Sequence, residues 1–271
     1  MKNRILFISL FILFIFKGFT QADSSGIAIV KIDKDYFKSC LTDSRDVLIS
    51  PVRWKAGAWI GASAVCITTG ILITQDKIIR KFFVRNESQL TQNMSDYFFD
   101  PMGNGLLCLP ALGILYGCGA IWENGQAKGT ALKGLEAFVI TGIVTTAIKQ
   151  ITHRHRPYQD DPPDPLNWDG PFSLVKYNSF PSGHASAIFA VATVIACSYN
   201  ETIWVPVLCY SVAGLTAIAR LAVNKHWASD VLFGSALGFG IGKLVYNNTG
   251  KKLKIIPAGE NGLGMTFLYS L

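Results

Sequence analysis

All four histidines of this 271-residue chain lie in three short polar segments that border long apolar stretches. The segments cover residues 149–157, 181–184 and 220–230. Ionisable groups beside membrane-length apolar stretches are costly, so their concentration in a few places indicates function. The residues of these segments that can take part in chemistry are Lys149, His153, His155, Arg156, Ser182, Gly183, His184, Arg220, His226 and Asp230.

Five of these residues suit phosphate binding. In phosphoryl transfer the protein mainly positions the phosphorus atom and neutralises its oxygens. Arg156 and Arg220 can each hold two phosphate oxygens, and Lys149 adds a point charge. Ser182 and Gly183, at the start of a predicted helix, offer a hydroxyl and free backbone amides to an anion. The sequence therefore predicts a phosphate site built from these five residues.

Three further residues suit covalent catalysis. His226 and Asp230 are four residues apart, so a helix that begins near His226 would place both side chains on one face. The carboxylate could then hold one imidazole nitrogen and leave the other free to attack phosphorus. His184 could protonate the leaving alkoxide from the opposite side. We therefore predict His226, Asp230 and His184 as the catalytic residues.

The elements that must position these residues are predicted to be membrane helices. Half of the chain is hydrophobic and only 16% is charged, against about a quarter in soluble domains. Its mean hydropathy is +0.32. The pattern predicts an all-α bundle of six transmembrane helices, and counting span direction brings the three polar segments to one membrane face. The apolar stretches cover residues 56–74, 104–122, 131–148, 185–199, 202–219 and 229–246.

The rest of the chain divides into segments of different composition. Residues 1–22 resemble a signal peptide or anchor, because Lys2 and Arg4 precede a short apolar core. Residues 23–55 alternate in charge and are predicted to lie at the membrane surface as an amphipathic segment. The phosphatase domain is predicted at 56–250, and the tail, 251–271, has a turn that fits a small hairpin. Residues 77–85 are predicted to form an interfacial helix.

Other polar features have simpler interpretations. His153 and His155 are interpreted as structural, because they lie between two phosphate ligands without a distinct task. Asp160, Asp161 and Asp164 are interpreted as solvated loop charges, although paired carboxylates could hold a metal ion. The net charge of +7 is spread along the chain without a basic stripe, which argues against a nucleic-acid partner. Gly234, Gly238 and Gly242 predict close helix packing.

The three segments resemble the signature of the type 2 phosphatidic acid phosphatase superfamily. That signature is Lys, six residues, Arg-Pro; then Pro-Ser-Gly-His; then Ser-Arg, five residues, His, three residues, Asp. The resemblance implies that His226 forms a phosphohistidine, Asp230 supports it and His184 is the general acid. It implies no metal ion or other cofactor. The matching phosphate ligands are Lys149, Arg156, Ser182, Gly183 and Arg220, and Ala219 replaces the expected serine.

The resemblance and the apolar composition together predict a membrane lipid phosphatase. Its substrate would be an envelope lipid: undecaprenyl pyrophosphate, a lipid A phosphate, phosphatidylglycerophosphate or phosphatidic acid. Two alternatives are a vanadium-dependent haloperoxidase, which uses a similar cradle, and a nonenzymatic binder or transporter of lipid phosphates. The predicted location is the bacterial inner membrane with a periplasm-facing site, although cleavage near Ala22 would favour the opposite face. The oligomeric state is not predicted.

Overall fold

A computed structural model describes residues 34–171, 173, 178–248, 254–257 and 265–268. The predicted signal or anchor segment, residues 1–22, lies outside this part of the chain. The described helices are α1 (Lys34–Ile49), a 3-10 turn (Ser50–Arg53), α2 (Ala56–Arg85), α3 (Gln89–Met94), a π-helical turn (Ser95–Phe99), α4 (Asp100–Gly103), α5 (Cys108–Ile121), α6 (Gly125–Thr152), α7 (Gly183–Ser198), α8 (Trp204–Ala222) and α9 (Ala228–Asn247). Strands β1 (Lys254–Pro257) and β2 (Met265–Leu268) pair antiparallel, with Lys254 opposite Leu268.

Four described helices are long and apolar enough to cross a membrane: α2, α6, α8 and α9. The segment from α3 to α4 and helix α5 would together form a fifth span, bent by 55°. Helix α7 is apolar but has only 16 residues. The predicted all-α membrane bundle is therefore confirmed. The count of six spans stays a prediction, because α7 is shorter than the usual spanning length of about 20 residues.

Helix α2 corrects one prediction from the sequence. Residues 77–85 do not form a separate interfacial helix but continue α2, which runs unbroken for 30 residues. No glycine or proline interrupts the sequence between Gly70 and Arg85, so nothing ends the helix earlier. Just before residues 77–85, Asp76 of α2 lies against the start of α9, and its side chain is buried there.

The glycines of α9 form the contact surface for α7. A Cβ atom at Gly238 would lie 2.0 Å from the carbonyl oxygen of Ser186, and one at Gly242 would lie 2.5 Å from that of Ala190. At Gly234 it would lie 2.6 Å from the carbonyl oxygen of Ser182. The predicted packing role of the three glycines is therefore confirmed. This contact also fixes the start of α7 beside the start of α9.

Alanine substitution should separate the packing glycines from an open one on the same helix. Gly238→Ala should lower the melting temperature in detergent, because the added methyl group meets α7 backbone and overpacking costs about 1–3 kcal/mol. Gly240→Ala is the matched control, since no atom lies within 4 Å of its Cβ position. Its melting temperature should stay the same or rise. Equal melting temperatures for the two variants would contradict the packing described above.

Helix α1 docks on the bundle at the end away from the three polar segments. Its Val47 is buried among Ala137, Ile140 and Val245 of α6 and α9. Nearby, the Lys133 ammonium lies 3.4 Å from a carboxylate oxygen of Asp43. The described part of the predicted amphipathic segment is thus packed against protein on one side.

Candidate active site

The three polar segments meet at one end of the helix bundle. Helices α6 and α8 end there, at Thr152 and Ala222, and helices α7 and α9 begin there. The backbone N–H of Ser182 donates to the carbonyl oxygen of Asp230 at 3.0 Å, which joins the second segment to the third. The hydroxyl of Thr152 donates to the carbonyl oxygen of Phe180 at 3.1 Å and joins the end of α6 to the same region.

His226 and Asp230 form a buried pair. The sequence predicted His226 and Asp230 on one face of a helix. Helix α9 begins at Ala228, so His226 instead precedes the helix. Its Nδ1 atom still lies 3.6 Å from Oδ2 of Asp230 and 3.5 Å from the hydroxyl of Ser179. The same Asp230 oxygen accepts hydrogen bonds from Ser179 at 2.5 Å and from the backbone N–H of Trp227 at 2.9 Å. With Nδ1 on the Asp230 side, Nε2 is the nitrogen available for attack.

Burial keeps the His226 ring neutral. Removal from water lowers its pKa from 6.5 to about 3, and the positive charges of Lys149 and Arg156 act in the same direction. The Asp230 carboxylate opposes this shift. Near neutral pH the ring therefore carries a free lone pair, which is the form that a nucleophile needs.

Two of the predicted phosphate ligands carry buried polar atoms without hydrogen-bond partners. The Ser182 hydroxyl and Nε of Arg220 are buried, and neither has a hydrogen-bond partner among the described residues. Unpaired buried donors are costly, so these two atoms fit a site for an anion. Lys149 donates to the backbone oxygen of Asn178, and Nε of Arg156 donates to the side-chain oxygen of Asn178 at 3.1 Å.

Gly183 begins α7, with Ser182 as its N-cap. A Cβ atom at Gly183 would lie 3.8 Å from Cε of Lys149 and would meet no backbone. The start of α7 therefore lies close to Lys149, and the free amides of a helix N-terminus can bind an anion.

His184 and Arg220 share a carboxylate that the sequence did not indicate. Oδ1 of Asp100 lies 3.2 Å from Nε2 of His184 and also accepts a hydrogen bond from Arg220. A second guanidinium nitrogen of Arg220 donates to the Ser95 hydroxyl at 2.6 Å. Gly103 packs on the His184 ring, because a Cβ atom there would lie 2.6 Å from it. The segment from residue 95 to 103 thus forms one wall of the site.

Arg154 is a second residue that the sequence analysis missed. Its guanidinium donates to Asp230 at 2.5 Å and to Asp76 at 2.8 Å, and the three side chains have no exposed surface. Asp76 also accepts hydrogen bonds from the backbone N–H and the hydroxyl of Ser229. A carboxylate within a long apolar helix usually needs a nearby cation, and this rule was the available signal.

The remaining loop residues stabilise the connection between α6 and α7. His153 ends α6 with a positive φ of 42°, and its Nδ1 contacts the carbonyl oxygen of Gly170 at 2.8 Å. His155 lies between Asp160, at 2.7 Å, and Asp169, at 3.3 Å. Asp160 is therefore paired and not simply solvated as expected. Within the described residues, no group of three metal-ligating side chains is found.

Comparison with known proteins gives a family match over the same region. A family model described as the PAP2 superfamily matches residues 130–254, which include all three polar segments. The chain is 47% identical over 70 residues to a lipid A 1-phosphatase of Porphyromonas gingivalis, which covers 26% of this chain and 16% of that protein. It is 25% identical to a lipid A 1-phosphatase of Rhizobium etli over 77% of this chain and 92% of that protein. The chain spans less than two thirds of the length of several curated relatives.

A solved structure supports the fold. The crystal structure of a transmembrane PAP2-type phosphatidylglycerolphosphate phosphatase from Bacillus subtilis matches with a TM-score of 0.53 and 22% sequence identity. The match covers 69% of this chain and 94% of the Bacillus chain. The helical arrangement described above is therefore that of a known membrane protein fold.

Proposed function

We propose that this chain is a PAP2-superfamily membrane lipid phosphatase that acts through a phosphohistidine on His226. The observation that carries this proposal is the buried pair of His226 and Asp230 beside two unpartnered buried donors, Ser182 Oγ and Arg220 Nε. A nucleophile and an anion cradle at the same helix ends are the parts that phosphoryl transfer needs.

The proposed reaction has two steps. In the first, Nε2 of His226 forms a bond to phosphorus while the bond to the lipid oxygen breaks, and His184 gives its proton to that oxygen. Asp230 stabilises the positive charge that develops on the His226 ring. In the second step, water attacks the phosphorus atom and gives a proton to His184 while the bond between Nε2 of His226 and phosphorus breaks. This step releases inorganic phosphate and restores both histidines. Lys149 and Arg156 neutralise the phosphate oxygens in both steps.

A cavity beside the site supports a lipid substrate. An apolar cavity of about 230 Å³ lies between α5, α7 and α8. It extends from Met102, in the segment that contacts His184, to Tyr199 and Trp204 at the other end of the bundle. Such a cavity can take an apolar tail while the phosphate is held at the helix ends. Among the candidate lipids we place a lipid A phosphate first, because two relatives are named lipid A 1-phosphatases.

The protein is an integral membrane protein, given its long apolar helices. We further propose that it lies in a bacterial inner membrane with its active site facing the periplasm. The basic residues Lys251, Lys252 and Lys254 follow the last predicted span and support a cytoplasmic tail, which would place the catalytic loops on the opposite face.

Phosphate release from defined lipids tests this function. Purified protein in detergent would be assayed in EDTA with a lipid A phosphate, undecaprenyl pyrophosphate, phosphatidylglycerophosphate and phosphatidic acid. We expect release from at least one lipid, and we expect soluble phosphate esters to be poorer substrates because they leave the apolar cavity empty. Faster hydrolysis of the soluble esters than of every lipid would contradict a lipid phosphatase. Binding of lipid phosphate without any release would instead favour the nonenzymatic binder.

A further inference from the structure

Three charged side chains without exposed surface meet behind His226: Asp76 from α2, Arg154 from the loop after α6, and Asp230 from α9. One nitrogen of the guanidinium contacts Asp230 at 2.5 Å, and the other contacts Asp76 at 2.8 Å. Buried charges persist only where their partners are well placed, because each one costs several kcal/mol to remove from water. The cluster is therefore a precise arrangement and not a surface ion pair.

The arrangement leaves Arg154 a single orientation. Its Nε and one terminal nitrogen donate to the carbonyl oxygen of Pro165 at 3.0 and 2.8 Å, and the other terminal nitrogen donates to the Ser229 hydroxyl at 2.7 Å. The rings of Trp168 and Trp227 lie 4.7 and 5.6 Å from the guanidinium carbon. Contacts on its edges and faces thus fix the plane of the guanidinium group.

The two carboxylate oxygens of Asp230 have different partners. Oδ1 accepts the hydrogen bond from Arg154, whereas Oδ2 accepts those from Ser179 and the Trp227 backbone and lies 3.6 Å from the His226 ring. The contact with Arg154 therefore sets which way the carboxylate turns. A rotation of the Asp230 carboxylate would break its contact with the nucleophile.

We propose that Arg154 is a positioning residue, held in place by Asp76, that keeps Asp230 turned toward His226. This role rests on the proposed function and extends it to two residues that are neither predicted phosphate ligands nor predicted catalytic residues. The charged and titratable groups that interact with Asp230 are Arg154, His226 and Lys149. Of these, Arg154 is the cation in direct contact with the Asp230 carboxylate.

The proposed role predicts an effect on the chemical step and not on lipid binding. Once His226 bonds to phosphorus, its ring is positively charged, and only an ionised, correctly turned Asp230 stabilises that charge. Arg154 contacts Asp230 and is not one of the predicted phosphate ligands. Loss of Arg154 should therefore lower kcat and leave KM nearly unchanged.

The test compares Arg154→Met, Arg154→Lys and the wild-type protein. For Arg154→Met we expect kcat to fall about 100-fold, as expected for a misplaced catalytic group, with KM changed less than about 3-fold. Arg154→Lys keeps the charge but loses the fork, so it should have an intermediate kcat.

One control variant and one fallback variant make the outcome specific. Arg53→Met removes an exposed arginine that pairs with Asp46 at 3.4 Å and should change neither constant. If Arg154→Met does not purify as folded protein, Arg154→Lys alone decides. A wild-type kcat for that variant, or a KM that rises as much as its kcat falls, would overturn the positioning role. A wild-type protein that releases no phosphate from any lipid would overturn the proposed function itself, and this role with it.

Discussion

Replacement of His226 with glutamine should abolish phosphate release. We expect kcat to fall by about 10⁴-fold or more, because loss of a covalent nucleophile costs on the order of 10⁶ in other hydrolases. Glutamine cannot form the bond to phosphorus but is similar to histidine in size. With a phosphorus-radiolabelled lipid and an alkaline quench, the wild-type protein should retain label and His226→Gln should not. Label that persists on the variant would assign the covalent step to another residue.

A second histidine in the same region provides the control for this experiment. His153 is buried and ends α6 with a left-handed backbone conformation, which asparagine tolerates. His153→Asn should therefore retain most of the wild-type kcat and its radiolabelled intermediate. A loss as large as that of His226→Gln would mean that the two effects come from damage to the surrounding structure.

Replacement of His184 with glutamine should have the second largest effect, and its size should depend on the leaving group. A lipid alkoxide is a poor leaving group that needs a proton, so we expect kcat for the lipid to fall about 10²- to 10⁴-fold. With p-nitrophenyl phosphate, whose leaving group needs no proton, the loss should be less than about 10-fold. Parallel assays of both substrates with the same protein preparation measure the difference.

The leaving-group comparison also examines Asp100. This carboxylate lies 3.2 Å from the His184 ring and contacts Arg220. Asp100→Asn should reduce turnover of the lipid more than that of p-nitrophenyl phosphate, in the same direction as His184→Gln but to a smaller extent. If His184→Gln and Asp100→Asn lower turnover of the two substrates equally, both residues act in phosphate binding and not in proton transfer.

Local patterns were enough to predict most of the helices and the three polar segments of the site, but not the wall formed by residues 95–103. Residue types and spacing predicted which residues would converge, because the helix ends must alternate between membrane faces. The glycines of α9 were also predictable, since a four-residue repeat of small side chains allows close packing. The extent of α2 was not predicted, because its apolar window ends near Thr74 although the helix continues through residues with charged side chains.

The supporting residues could not be derived from such patterns. Arg154 and Asp76 are separated by 78 positions, and Asp100 and Arg220 by 120, so only the folded chain brings each pair together. The position of His226 also differed from expectation, because Asp230 bonds to the backbone of Trp227 and fixes the start of the helix after the histidine. Capping of this kind depends on side-chain geometry that spacing alone does not specify.

The buried charges also constrain how the protein is made. During synthesis Asp76 emerges long before Arg154, so α2 reaches the bilayer with a carboxylate that has no partner yet. An unpaired carboxylate favours water, so the end of α2 that carries Asp76 should stay at the membrane surface until α6 and the loop after it arrive. Only then can Asp76 leave the water and complete the cluster behind His226. The cluster behind His226 should therefore form only after the loop that follows α6 has been made.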